Sequence, residues 1–276
     1  MSDEATSLPD LSSSYPLSES EVEQFRDRGH VLLRGVCSRE EIAAYRPFIN
    51  EAAYKFNKQT RPVEERDTYG KAFLQITNLW ERDERVRRYV MAKRFGKIAA
   101  DLLGVNGIRI YHDQALYKEA GGGLTPWHQD QQYWPLDAPT VTMWMPLVDV
   151  PVETGALTFA SGTHREGYLG HMAISDESQE TWDKYVQDQR IPVHVEPVMA
   201  GDATFHAGWT LHTAPGNAGT QTREVMTIIF IPDGVRIIEP DNPNRWDDLR
   251  TWFPGLKPGD FAASELNPLV FDRQAV

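Results

Sequence analysis

The sequence predicts a mainly β protein with packed helices, built on a double-stranded β-helix, the cupin-like jelly roll. Three observations point there. After Gly107 the chain breaks into short β-like runs punctuated by Gly and Pro, the pattern of an antiparallel sandwich or barrel. Before Gly107 the apolar residues recur at helical spacing, which supplies helices to pack on one sheet. At 276 residues and 41% hydrophobic, the chain buries roughly 75% of its unfolded surface in one sizeable core. That core forms without a disulfide, because Cys37 is the single cysteine.

Residues 1–16, rich in Ser, Asp and Pro, read as a flexible or loosely docked tail. The single domain then runs over residues 17–276, with a helical part at 17–105, a β-helix core at 106–234 and an irregular C-terminal cover at 235–276. Val22 and Phe25 share a helical face, and Gly29 stops that helix. A strand follows over His30 to Val36. Ser38 lies three before Glu41, the spacing of a reciprocal cap, and Ile42, Tyr45 and Ile49 continue at helical spacing. One apolar stripe from Val86 to Leu102 predicts a helix over Arg85 to Leu103, ended by Gly104. The β-like runs are Ile108 to Tyr117, Val141 to Val150, Gly155 to Ala160, Ile191 to Glu196, Asp202 to His206 and Arg223 to Ile231. The polar stretch 162–190 reads as a long connection of the kind that carries function.

Charge narrows the function classes. With 28 Lys+Arg against 40 Asp+Glu the formal net charge is −12, which repels a phosphate backbone, so nucleic acid is not an expected ligand. No run approaches the ~20 apolar residues of a membrane-spanning helix. The start MSDEATSLPDLSSSYP has neither a basic nor an apolar leader region, so the expected compartment is the cytoplasm.

The chemistry concentrates in Thr125 to Trp134, TPWHQDQQYW. On an extended segment His128 and Asp130 point to the same face and can share one ion. Far downstream, His212 follows in GWTLHTAPGN. Two imidazoles and one carboxylate make the facial triad that holds iron(II) and leaves adjacent positions open. Arg223, eleven residues after His212 at the start of REVMTIIF, offers a guanidinium that grips a carboxylate through two parallel hydrogen bonds. Such a grip suits the far end of a 2-oxo diacid.

At these residues the sequence resembles the phytanoyl-CoA dioxygenase family of iron(II)- and 2-oxoglutarate-dependent oxygenases. The resemblance runs over roughly residues 17–234 and is carried by HQD at 128–130, Gly155 with ASGTHR at 160–165, GD at 201–202, and His212 with Arg223. It implies that His128, Asp130 and His212 ligate iron and that Arg223 binds the distal carboxylate of 2-oxoglutarate. It further places Gln114 and Trp144 beside the cosubstrate and Trp134 near the iron. Gln75 falls where some relatives place a lysine toward 2-oxoglutarate, a departure from the pattern. Tyr117 and His206, close in sequence to the motif segments, complete the candidate substrate pocket. Halogenating relatives replace the carboxylate ligand by a small residue, so the presence of Asp130 favours hydroxylation or another oxidation over chlorination.

The implied reaction consumes O2 and 2-oxoglutarate, releases succinate and CO2, and hydroxylates a C–H bond of a small organic substrate. The acidic balance argues against an acyl-CoA substrate, whose phosphates prefer basic surroundings. Two alternatives share the same residues: a zinc hydrolase with water on His128, Asp130 and His212, and a metal-free β-barrel binding protein in which these side chains only brace turns.

Overall fold

The structure, a computed structural model of the chain, describes residues 8–170 and 172–275. Two antiparallel sheets face each other, and helices cover the outer face of the larger one. The helical part begins with α1 (Glu19–Arg28), which Ser18 and Glu21 cap reciprocally and left-handed Gly29 ends. After β1 (His30–Leu33) comes α2 (Arg39–Phe56), where the Ser38 hydroxyl accepts from the Glu41 N–H at 3.1 Å and Glu41 accepts in return from the Ser38 N–H at 2.8 Å. The reciprocal cap expected from the spacing is present. Next come α3 (Thr68–Ala72) and β2 (Leu74–Thr77).

The single helix expected over Arg85 to Leu103 is two, α4 (Glu84–Val90) and α5 (Lys93–Leu103), with Ala92 extended between them. Both halves bury into the same core, so the apolar stripe reads continuously across the break. The tail also departs from expectation. Leu8 and Leu11 are buried in that core, and the Tyr45 hydroxyl donates to the Pro9 carbonyl at 2.7 Å. Two isolated leucines in a polar stretch carry no periodic signal, yet both are buried in the helical core. The remainder of the expected tail, residues 1–7, lies outside the described residues.

The β-rich part comprises β3 (Gly107–Tyr117), β4 (Thr125–His128), β5 (Val141–Pro146), β6 (Thr158–Ala160), β7 (Val193–Val195), β8 (Ala203–Ala207), β9 (His212–Ala214) and β10 (Val225–Pro232). Among the described residues the large sheet has seven strands, in the order β1-β8-β5-β10-β3 with β11 (Leu269–Asp272) at the far edge and β2 also on β3. The small sheet runs β4-β9-β6-β7. Strand alternation divides the molecule. On β10, Met226, Ile228 and Phe230 face the helices, whereas Val225, Thr227, Ile229 and Ile231 face the space between the sheets.

Two expected irregular stretches contain helices. Within 162–190 lies α6 (Asp176–Asp188), which buries Trp182 and Val186 against Trp127 and Leu211. Its polar faces outnumber its apolar contacts, so the sequence pattern reads as a loop. Beyond Pro232 lies α7 (Pro243–Trp252), capped by Asn242, and β11 then pairs with β3. The C-terminal cover is therefore partly regular and extends the large sheet. No helix among the described residues is long and apolar enough to cross a membrane.

One turn glycine is indispensable. Gly201 has φ +92°, and a Cβ there would lie 2.3 Å from the Cys37 carbonyl oxygen. That carbonyl belongs to rigid backbone, so Gly201→Ala is expected to destabilise the fold by about 2 kcal/mol or more through strain and overpacking. A lowered melting temperature checks it.

Candidate metal centre and its cavity

β4 and β9 lie side by side with His128 opposite His212. The Nδ1 atoms of His128 and His212 lie 2.8 and 2.9 Å from the carbonyls of Pro126 and Thr210. A carbonyl can only accept, so each Nδ1 carries the hydrogen and each Nε2 presents a bare lone pair. Both Nε2 atoms point at Asp130 Oδ1, at 3.6 and 3.7 Å. Two lone pairs facing a carboxylate oxygen repel unless a cation lies among them. The three ligand atoms all fall within 4.8 Å of one another. The donor set fits a divalent transition metal held on one face.

Charge states agree with that role. Burial pushes His128 and His212 down to about 4, so both imidazoles are neutral at neutral pH and bind metal without losing a proton. Burial opposes the charge on Asp130, yet the carboxyl is held well below the usual range, with the bond from His206 favouring its ionised form. The extended premise for His128 and Asp130 holds only as far as Gln129. Asp130 opens a 3-10 turn (Asp130–Tyr133), which swings its carboxylate under the two imidazoles.

The other carboxylate oxygen, Oδ2, is held by His206 Nε2 at 3.2 Å and accepts from the Thr142 hydroxyl at 3.1 Å. His206 and Thr142 face each other across β8 and β5. They fix the rotation of the carboxylate and leave Oδ1 for the metal. His206→Ala is expected to weaken iron(II) binding about 10- to 100-fold, measured by anaerobic titration. Unchanged affinity would show that Thr142 alone suffices.

The triad opens into a cavity of about 520 Å³ between the sheets, a volume suited to a cosubstrate with a small molecule. At one end Arg223 is buried, donating to the carbonyls of Gly155 at 2.7 Å and Leu116 at 3.3 Å, with its guanidinium 5.4 Å from the centre of the Trp144 ring. Its Nε has no partner, and it forms no ion pair among the described residues. Burial lowers Arg223 to about 9, so it remains charged at neutral pH. A buried guanidinium without a carboxylate awaits an anion. Gln75 and Gln114 join across β2 and β3 at 2.5 Å, and the Tyr69 hydroxyl donates to Gln75 at 2.7 Å. Gln75, Gln114, Trp144, Trp134 and His206 all line this cavity.

Tyr117 does not. On β3 the side chains of His112, Gln114 and Leu116 enter the cavity, so Ala115 and Tyr117 face the helical core, where the Tyr117 hydroxyl donates to Asn50. Alternation along the strand overturns Tyr117 as a pocket residue. A bulge on β3 sits beside this row: Ile229 pairs with His112 and Phe230 with Ile110, leaving Tyr111 as the extra residue. Tyr111 and His112 therefore both face inward, with ring centroids 5.0 Å apart. Lys118, fully buried, donates to the Gly123 carbonyl and to Thr125 at 3.1 Å, bracing the turn beside β4. Tyr69, Asp248 and Trp252 also line the cavity and carry no sequence motif. They arrive from α3 and α7, whose placement no short-range pattern encodes.

A metal-binding His-Asp-His face inside a jelly roll, with a lone buried arginine at the other side of the cavity, defines a mononuclear metal oxygenase architecture. The phytanoyl-CoA dioxygenase (PhyH) family matches residues 25–225, and the chain belongs to that family of iron- and 2-oxoglutarate-dependent oxygenases. It is 22% identical over 277 residues to phytanoyl-CoA dioxygenase domain-containing protein 1 of Danio rerio, covering 82% of this chain and 94% of that one. Among solved structures it is similar to SnoK, a non-heme alpha ketoglutarate-dependent carbocyclase from nogalamycin biosynthesis. That match has 27% identity and a TM-score of 0.76, covering 92% of this chain and 96% of the other. The epimerase SnoN, solved in complex with Fe3+, alpha ketoglutarate and nogalamycin RO, is 25% identical with a TM-score of 0.73, covering 91% and 98%. Membership of this family leaves the zinc hydrolase and the metal-free binding protein without support.

Proposed function

We propose that this chain hydroxylates a C–H bond of a small organic molecule, using iron(II), O2 and 2-oxoglutarate and releasing succinate and CO2. The observation that carries the reading is one cavity lined both by the His128, Asp130 and His212 donor set and by a buried guanidinium that lacks an anion. Bound iron supplies the oxidation itself, coupling decarboxylation of the 2-oxo acid to attack on the substrate C–H bond.

The protein's part is geometric and electrostatic. Neutral His128 and His212 and ionised Asp130 bind the ion. Arg223 binds the far carboxylate of 2-oxoglutarate, with the Gln75 and Gln114 amides beside it and Trp144 as one wall. Thr142 and His206 keep Asp130 oriented. His128, His212 and Arg223 are buried, and the low dielectric around them strengthens their contacts with charged groups. Retention of a carboxylate at Asp130 supports oxidation rather than chlorination. Arg223 is the one Lys or Arg among the described residues lining the cavity, which ill suits the phosphates of coenzyme A. A small uncharged or amine-bearing substrate fits better than an acyl-CoA.

Hydroxylation competes with the ring closure and epimerisation named for SnoK and SnoN. Product mass separates them. A substrate that stimulates succinate release is expected to gain 16 mass units, the mass of one oxygen atom. Loss of two mass units, or a product isomeric with the substrate, would replace hydroxylation by the other outcomes. No succinate from an iron-loaded, folded sample under air would overturn the oxygenase reading.

A further inference from the structure

The end of the cavity away from Arg223 has the opposite character. It is lined by Tyr133, Trp134, His112, Trp252 and Asp248. Asp248 and Trp252 lie four apart on α7, one turn, and so share a face. Trp252 covers the His112 ring at a centroid distance of 4.5 Å, and Trp134 lies 5.3 Å from Tyr111. Tyr111, turned inward by the β3 bulge, donates its hydroxyl to Asp248 Oδ2 at 2.5 Å. That phenol is neutral. Asp248 forms no ion pair among the described residues; Tyr111 and Trp252 give it hydrogen bonds, both from neutral groups, and Asp247 beside it has the same sign. Burial, reinforced by Asp247, raises Asp248 to about 7, the response of a carboxyl that lacks a positive partner.

A carboxylate without a cation, in a cavity lined by aromatic side chains, is complementary to one kind of group. Ring faces attract a cation through their quadrupole, and a carboxylate gives an ammonium both charge and an acceptor. An alcohol gains only the hydrogen bond. A second carboxylate is repelled, so the two ends of the cavity also sort their ligands by sign.

We infer that the Asp248 end of the cavity binds a protonated amine carried on an aromatic or apolar body, with Asp248 as its counter-ion and Trp252, Trp134 and Tyr133 as its walls. That the bound amine is the molecule oxidised rests on the function proposed above; the amine site itself rests on geometry alone.

The test is calorimetry of three probes of matched shape, 1-naphthylmethylammonium, 1-naphthylmethanol and 1-naphthylacetate. They are titrated anaerobically into the protein loaded with iron(II) and 2-oxoglutarate, and in parallel into metal-free protein. The ammonium probe is expected to bind about tenfold or more tighter than the alcohol, about 1.4 kcal/mol, with the acetate weakest. Asp248→Asn, which still accepts from Tyr111, is expected to remove the ammonium preference and keep the alcohol affinity. Trp252→Leu is expected to weaken the ammonium and the alcohol alike. Equal affinity for ammonium and alcohol, no binding of any probe, or a preference that survives Asp248→Asn would overturn the assignment. The wild-type comparison decides the matter even if a variant fails to fold. The chelate absorption of iron with 2-oxoglutarate, recorded in the same samples, keeps the two readings apart. Its absence counts against the oxygenase reading, while the probe ranking in metal-free protein still tests the amine site.

Discussion

Asp130→Ala is expected to weaken iron(II) binding and to abolish 2-oxoglutarate-dependent hydroxylation. The substitution removes the only anionic ligand atom, the oxygen toward which both Nε2 lone pairs point at 3.6 and 3.7 Å. It also strands His206 and Thr142, whose shared partner is the other oxygen of that carboxylate. Two neutral imidazoles supply less charge and one donor fewer than the full triad, so the ion is held more weakly. The measurement is anaerobic titration of the apoprotein with iron(II) and 2-oxoglutarate, following the visible charge-transfer band of the chelate. Wild type is expected to develop the band and the variant to lose it. Full retention of the band would remove Asp130 from the ligand set. Removing a buried charge that lacks a cation also relieves repulsion in the apoprotein, so the variant is expected to stay folded.

Arg223→Ala is expected to raise the 2-oxoglutarate concentration needed for half-maximal band formation by at least about 30-fold, while iron(II) affinity stays within about threefold of wild type. Truncating one member of a buried, hydrogen-bonded charge pair costs about 2–5 kcal/mol, and Arg223 is buried with its Nε unsatisfied. The guanidinium touches no metal ligand, so the metal arm is spared. Arg223→Lys tests the same point more finely: an ammonium keeps the charge but lacks the planar fork, and recovery is expected to be partial. Cosubstrate dependence unchanged in both variants would show that another group holds the far carboxylate.

The metal site was legible because its ligands sit in one short motif plus one downstream histidine, and their donor chemistry is recognisable without coordinates. Arg223 was legible for a related reason, lying at the start of an evident strand. Tyr117 was misplaced because proximity along the chain says nothing about which side of a strand a residue takes, and the β3 bulge shifts the alternation just upstream. The division of one predicted helix into α4 and α5 left no trace, since backbone direction can change while apolar spacing persists. Asp248 and Trp252 were invisible for a deeper reason. Their meaning comes from α7 lying across a cavity assembled from distant parts of the chain; the Tyr111 partner of Asp248 lies 137 residues earlier.

The extra residue at Tyr111 also bears on how such an enzyme changes over evolutionary time. Residues 112–116 keep the phase of β3 that serves the iron and the cosubstrate, while residues upstream of the bulge follow a phase of their own toward the C-terminal cover. The two phases are uncoupled at one residue. Side chains of the cover that line the cavity, such as Asp248 and Trp252, can therefore change without disturbing the β3 register that places Gln114 and Leu116.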